Sequence, residues 1–350
     1  MSELKKLGDL IDLIDERNKN GIIKTLIGVS IDKCFIKSVA NTIGTDLSKY
    51  QIIRKFDFAC NPMHVGRDER LPVALYQKDV PALVSPAYFM FKIKDDKIVV
   101  PEYLMLVFRR KDFDRNCWFR TDGNVRGGIA WNDICDMKLP VPPLEEQQKI
   151  VDAYNAVENR IKIKQKINEK LEATARCLFD KMTKDKEKNT AFEDIATINS
   201  GKRPENMQEG SFPLVGAGSV MGYISSYNYD DKTLVIGRVG THGKVQRFNC
   251  KCWCSDNTLT IKSNFYEYSY FILKNIDYGL LNRGSTQPLI TQTDIKNIPI
   301  FFEETEVKNF EKSASKLMNV YDLNRKELEK LAQLKQLIVS QIARQRKDNF

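Results

Sequence analysis

Between residues 145 and 183 the chain runs 39 residues without a glycine or proline, and its apolar positions return every three or four residues. The line is Ile150, Tyr154, Val157 and Ile161, then, after a gap, Leu171, Ala175, Leu178 and Met182. That spacing predicts one long helix with a seam of coiled-coil type, about 58 Å long at ~1.5 Å per residue. Lys164 and Asn168 fill the gap in phase. A second run keeps the register better: Val307, Phe310, Ala314, Leu317, Tyr321, Asn324, Leu328, Leu331, Ile338 and Ile342. Two amphipathic helices of matching length most simply pack antiparallel. Asn168 and Asn324 both fall on the seam, as a buried polar pair that fixes register or as two solvated side chains at a loose spot.

Ahead of each helix the pattern changes. From 22 to 100 the chain is rich in β-branched and aromatic residues, broken by Gly28, Gly44, Pro62, Pro72, Pro81 and Pro86. Ala87–Ile93 reads as a strand followed by a turn at 94–97. Pro101–Phe108 reads as a short helix with proline in its first turn. Pro140, Pro142 and Pro143 predict an extended segment unable to continue a ladder, and Glu145 and Glu146 suit the positive end of the helix that follows. Between the helices, residues 184–189 form a charged connector. The half after it, about 191–302, carries more glycine, with strand-like pieces at Thr233–Ile236 and Thr258–Ile261.

The two halves also repeat one another. Asp133 and Asp294 stand 161 positions apart (294 − 133), and Glu145 and Glu303 stand 158 apart (303 − 145). Leu7-Gly8-Asp9-Leu10-Ile11 opens the first half much as Phe192-Glu193-Asp194-Ile195-Ala196 opens the second. So long a period, closed each time by a helix, means two large similar units in tandem. Such a protein is built to read two places at once.

Charge then narrows the partners. Lys and Arg number 55 against 46 Asp and Glu, a formal net charge of +9 in 350 residues. The surplus favours a polyanion. No apolar run of about 18 residues exists, and Met1–Lys6 is not followed by a signal-peptide core, so no membrane is expected. Eight cysteines are scattered, and the one cluster, Cys250-Lys251-Cys252-Trp253-Cys254, lacks a second ligand pair at zinc-site spacing. Reduced thiols in a cytoplasmic protein are the plain reading.

Catalytic motifs are absent. Gly216–Gly222 misses the dinucleotide fingerprint, and Gly237–Lys244 misses the P-loop in spacing and hydroxyl. Asn61-Pro62-Met63-His64 lacks the second proline and aromatic of an amino-methyltransferase turn. Glu306-Val307-Lys308 has no upstream acid partner, so it does not make a nuclease metal site. Only His64 and His242 could supply histidine chemistry, and both stand on loops.

Nucleic-acid chemistry fits two loops better. Residues 120–128 carry Asn124 and Arg126 among glycines, and residues 237–244 carry Arg238, His242 and Lys244, with Arg247 following. Glycine lets backbone approach a groove or phosphate closely. Arginine suits guanine edges, Asn and Gln suit adenine edges, and lysine mostly meets phosphates. Arg67, Lys202, Arg203, Thr286 and Gln287 are further candidates. Ordinary tight turns with solvated charges are the competing explanation.

Taken together, the order of lobe, proline-rich segment, long helix, lobe and long helix resembles the specificity subunits of type I restriction-modification systems. The likeness rests on Leu139-Pro140-Val141-Pro142-Pro143-Leu144-Glu145-Glu146-Gln147, Lys149-Ile150-Val151 and Ile167-Asn168-Glu169-Lys170-Leu171. Asn61-Pro62-Met63, Val84–Tyr88 and Gly237-Arg238-Val239-Gly240-Thr241 resemble segments of the family's target recognition domains. The second copy departs, with Phe301 and Phe302 in place of prolines and Thr305 where Gln147 stands.

The resemblance implies an α+β chain of two tandem mixed α/β target recognition domains, at 1–143 and 185–302. Each is followed by a long helix, at 144–184 and 303–346, and the helices pair as an antiparallel coiled coil with pseudo-two-fold internal symmetry. It implies a non-catalytic subunit that reads a bipartite site in double-stranded DNA. Two methyltransferase subunits would dock on the helices, with Pro142, Pro143, Glu145 and Gln147 at the docking point, and restriction subunits would join through them. S-adenosylmethionine would belong to the modification subunits, ATP and Mg to the restriction subunits, and no cofactor to this chain. The alternatives are a non-enzymatic coiled-coil adaptor and a stand-alone DNA-binding regulator.

Overall fold

The computed structural model describes residues 3–38, 45–63, 65–121, 127–239, 243–281 and 289–344. The chain divides into two compact units: Met1–Lys162 with Leu328–Phe350, and Ile163–Glu327. Each holds one lobe and part of both long helices.

The repeat seen in the sequence is a repeat of folding. In the first unit strand Glu3–Lys6 pairs antiparallel with Lys138–Val141, Leu4 opposite Pro140. A 3-10 turn, Leu7–Asp9, follows, and the Leu7 amide donates to the Met137 carbonyl at 2.8 Å. In the second unit Thr190–Ala191 pairs with Pro299–Ile300, the turn is Phe192–Asp194, and the Phe192 amide donates to Ile298 at 2.9 Å. Leu7 and Phe192 are fully buried, so each lobe's beginning is clasped to the segment just before its long helix. The expectation that the prolines cannot continue a ladder fails at Pro140. This sheet has only two strands, and an edge strand tolerates a residue without an N–H. The Pro140 carbonyl accepts the Tyr103 hydroxyl at 2.9 Å, and the Tyr268 hydroxyl donates to Phe301 in the same way.

Each lobe is built on a four-stranded antiparallel sheet of one topology. The first runs Ile11–Leu13, Phe89–Ile93, Phe58–Cys60, Val73–Leu75, and the second Thr197–Ser200, Thr258–Lys262, Thr233–Gly237, Gln246–Phe248. Alternation along a strand sends neighbours to opposite faces. Phe58 and Cys60 therefore join the core under helix Pro101–Phe108, while Ala59 joins a smaller core with Val29, Ile53, Val84 and Met90. Leu234 and Ile236 pack under helix Tyr266–Lys274, and Val235 faces Val215, Phe248, Cys252 and Cys254. The cysteine cluster is thus part of an apolar core, with the Cys252 and Cys254 sulfurs 3.9 Å apart. No group of three metal-ligating side chains occurs among the described residues, nor is any helix there long and apolar enough to cross a membrane.

The long helices span Leu144–Thr183 and Glu304–Arg344. They run antiparallel in each unit: Glu158 pairs with Lys335 in the first, and Lys164 with Glu327 at 2.8 Å in the second. The seam asparagines are the buried pair, 6% and 4% exposed. Asn324 donates to the Asn168 Oδ1 at 2.9 Å, Asn168 donates to the Tyr321 carbonyl at 3.2 Å, and Lys164 donates to the Asn324 Oδ1 at 2.7 Å. Periodicity missed Val151, Phe179 and Met318, which are buried while Leu178 is 39% exposed. A seam search finds the stripe toward the other helix, and these three face the lobe cores instead.

Candidate nucleic-acid interface

In the second unit the flagged segments converge on one end of the four-stranded sheet. Strand Thr197–Ser200 ends at Gly201, where a Cβ would lie 2.1 Å from the Ser255 carbonyl oxygen and 2.6 Å from that of Cys254. Only glycine fits so close to backbone. The approach lets the Gly201 amide reach Thr258 at 3.0 Å and the Lys202 amide reach Cys254 at 2.9 Å, while the Trp253 indole donates to the Lys202 carbonyl at 2.7 Å. The main chain of Lys202 is pinned and its side chain, like that of Arg203, is exposed.

Arg238 leaves strand Thr233–Gly237, next but one in the sheet, its amide on Asn257 at 2.9 Å and its carbonyl accepting Ile290 at 3.0 Å. Its Nε is buried without a hydrogen-bond partner in the described structure. Gln292 donates to the Ser200 hydroxyl at 3.0 Å, tying the segment that follows residue 289 to the same edge. Lys244 is exposed nearby in sequence, after Gly243 at φ +75°. Lys202, Arg203 and Arg238 thus share one sheet end, and none has a carboxylate partner among the described residues. The sequence missed Trp253, Asn257 and Gln292, whose role is to hold basic residues rather than to carry charge.

The first unit repeats the joint. After Phe58–Cys60 the Asn61 side chain accepts the Met63 amide at 3.1 Å, and the Pro62 carbonyl accepts Ile129 at 3.2 Å. Ile129 and Ile290 stand one repeat apart, 161 positions (290 − 129), and make the corresponding bond. The Gly66 amide donates to Gly127 at 3.0 Å, and a Cβ on Gly128 would meet Pro62 at 3.2 Å. The segment after residue 126 is therefore folded onto the turn at 61–63. Arg67 stands exposed on helix Val65–Asp68, in a fork with Asp68 at 2.6 and 3.0 Å. Asn124, Arg126, His242, Thr286 and Gln287, with His64, lie outside the described residues.

Three expectations need correction. Arg247 is not available to DNA: its side chain is 2% exposed, with Glu267 at 2.5 and 3.1 Å and Asp322 at 2.9 and 3.2 Å. Burial works against its charge, but the hydrogen bonds it donates to those carboxylates outweigh it and hold the guanidinium protonated. Gln147 is fully buried and spends its amide internally, accepting Val100 at 2.9 Å and donating to Ile98 at 2.9 Å and Pro142 at 2.8 Å. Pro142 is buried too, so both shape the turn into the helix rather than offering a surface. Pro143 and Glu145 are exposed, Glu145 pairing with Lys149 at 2.7 Å.

Two copies of one lobe, each closed by a long helix, define a duplicated, helix-linked class of protein. The chain belongs to the type I restriction modification DNA specificity domain family, which it matches twice, over residues 2–173 and 185–336. It is 28% identical over 131 residues to the type I restriction enzyme HindI specificity subunit of Haemophilus influenzae. That stretch covers 36% of this chain and 28% of the relative's length. The fold is similar to the crystal structure of the type I restriction-modification S subunit from M. genitalium, with TM-score 0.66 and 14% identity over 98% of this chain and 96% of that one. A looser likeness, TM-score 0.39 at 14% identity, is to the HsdS subunit from Thermoanaerobacter tengcongensis, over 97% of this chain and 96% of that one.

Proposed function

We propose that the chain is the DNA sequence-recognition subunit of a cytoplasmic type I restriction-modification complex. Each lobe reads one half of a bipartite target, and the paired helices set the gap between halves and carry two methyltransferase subunits, through which restriction subunits join. The chemistry lies with those partners, S-adenosylmethionine in the methyltransferases and ATP with Mg in the restriction subunits, and this chain binds neither. The observation that carries the reading is the convergence of Lys202, Arg203 and Arg238 on one sheet end, with the Arg238 Nε buried and lacking an acceptor among the described residues. A buried donor without a partner is costly, and a base edge or phosphate oxygen supplies the missing acceptor.

The test is duplex binding by the full chain with its methyltransferase partner across a salt series. Log affinity is expected to fall linearly with log salt. Arg238→Ala is expected to cost about 1–3 kcal/mol on the matched target and to relax one base position. Uniform weakening on every sequence would recast Arg238 as a phosphate contact. Weak binding that salt leaves unchanged overturns the reading in favour of a protein adaptor.

A further inference from the structure

The second unit contains a buried charge cluster that the DNA reading does not use. Arg247 lies in the middle of strand Gln246–Phe248, opposite Leu234. Its guanidinium forks onto Glu267 of helix Tyr266–Lys274 and, through Nε and Nη2, onto Asp322 of the second long helix. It also lies 4.9 Å from the Tyr266 ring centroid and 4.7 Å from that of Tyr270, within cation–π range of both. The long helix returns a second bond, Arg325 Nη1 to the Arg247 carbonyl at 3.4 Å. One residue thus ties sheet, lobe helix and long helix together, two positions after the loop that ends at Val245.

The fold does not require this cluster, because the other copy lacks it. Six residues past the matched Leu7 and Phe192 stand Leu13 and Ile198. Across the sheets the register runs Leu13, Phe91, Phe58, Leu75 in one copy and Ile198, Ile261, Leu234, Arg247 in the other. Leu75 therefore occupies the first copy's Arg247 position. Counting from the equivalent tyrosines 103 and 268, Glu102 answers to Glu267 and Met105 to Tyr270. There the structure has a cleft of about 250 Å³, lined by Leu75, Glu102, Met105, Arg109, Tyr154 and Glu158 among others. An apolar strand residue suffices to build the lobe, so the arginine in the second copy does something further.

We propose that Arg247 is a positioning residue: by tying strand Gln246–Phe248 to Asp322 of the long helix, it holds the basic sheet end at one orientation to that helix. It thereby sets the gap at which the second half of a DNA target is accepted. This rests on the reading of the chain as a recognition subunit. Four charge-assisted bonds of fixed fork geometry are stiff, and lysine, a point charge on a flexible stem, cannot reproduce them.

The full chain with its methyltransferase partner is offered duplexes carrying both half-sites at the native gap, or one base pair longer or shorter. Asp322→Asn cuts the link to the long helix and leaves the Arg247–Glu267 pair inside the lobe. Its binding to off-length duplexes, relative to native length, is expected to rise about tenfold over wild type, with base preference in each half unchanged. Arg247→Lys is expected to relax the gap in the same direction. An unchanged ratio in a variant of wild-type circular dichroism, or equal loss at all gap lengths, overturns the proposal. If Asp322→Asn does not fold, Asp322→Glu keeps the charge on a longer arm and is judged by the same ratio. A wild-type chain without preference for any two-part duplex overturns the recognition reading, and the clamp's role with it, and the unmutated control shows that outcome separately.

Discussion

The Asn168–Asn324 pair offers a sharp energetic test of the helix pairing. Asn324→Ala removes the side-chain donor to the Asn168 Oδ1 and an acceptor of Lys164, which keeps Glu327 at 2.8 Å. Asn168 is 6% exposed, so water does not replace the lost bond freely. A buried polar group left unsatisfied costs about 1–3 kcal/mol, and Asn168→Ala leaves the Asn324 amide in the same position. Either change is expected to lower the urea midpoint of the full chain, followed by far-ultraviolet circular dichroism, by roughly 0.5–1 M at an m-value of about 1–3 kcal/mol/M. The double alanine variant should cost less than the two singles together, since the second substitution removes the group the first stranded. Replacing both by leucine should match or exceed wild-type stability while loosening register. Single variants within about 0.3 kcal/mol of wild type, or strictly additive costs, would refute the buried pair.

Other expectations follow from the same packing. Gly201→Ala places a methyl 2.1 Å from the Ser255 carbonyl oxygen and should destabilise the second unit by about 1–3 kcal/mol while weakening DNA binding. Gly222→Ala, with nothing within 4 Å of its Cβ, should stay within about 0.5 kcal/mol in the same thermal melt. Arg247→Met strands two buried carboxylates and should cost about 3–5 kcal/mol; a loss under 1 kcal/mol, read by thermal unfolding, would deny the cluster. Burial pushes the Glu172 carboxyl up, but hydrogen bonds from Tyr270 and Lys274 outweigh it and hold it below its ordinary value of 4.5. A carboxyl lowered in the folded chain adds stability above that value and loses it as pH falls through the folded one. Glu172→Gln should therefore flatten the acid limb of a pH–stability curve below about pH 4.5, and an unchanged limb would show that the contact does not matter.

What could be read from the sequence depended on whether a feature repeats along the chain or is assembled across it. The long helices, the short helix at 101–108 and the strands near 233 and 258 announce themselves through periodicity and breakers. The kinship of Leu7–Asp9 with Phe192–Asp194 was visible because both turns must bury one apolar residue against the same clasp. The seam asparagines could be placed but not assigned, since a polar residue in phase is buried only if its partner faces it. Arg247 was misread because proximity to a glycine loop says nothing of which way a strand residue points. Its true partners lie 20 and 75 positions away. Gln147 misled for a similar reason, as a polar residue at the first turn of a helix is as useful for closing a lobe as for meeting a partner. The anchoring of Lys202 by Trp253 and of Arg238 by Asn257 joins distant segments, which no local pattern reveals.

The central claim is that the two lobes read separate halves of one DNA target. It is tested most directly by mapping methylated adenines genome-wide in cells carrying the chain and its methyltransferase partner, with residues 191–302 intact or exchanged for the same region of a relative. The account predicts methylation, dependent on the chain, at one two-part motif of constant gap. The exchange should rewrite one half of the motif and leave the other half and the gap as they were. Methylation that persists without the chain, or an exchange that alters both halves together, would contradict it.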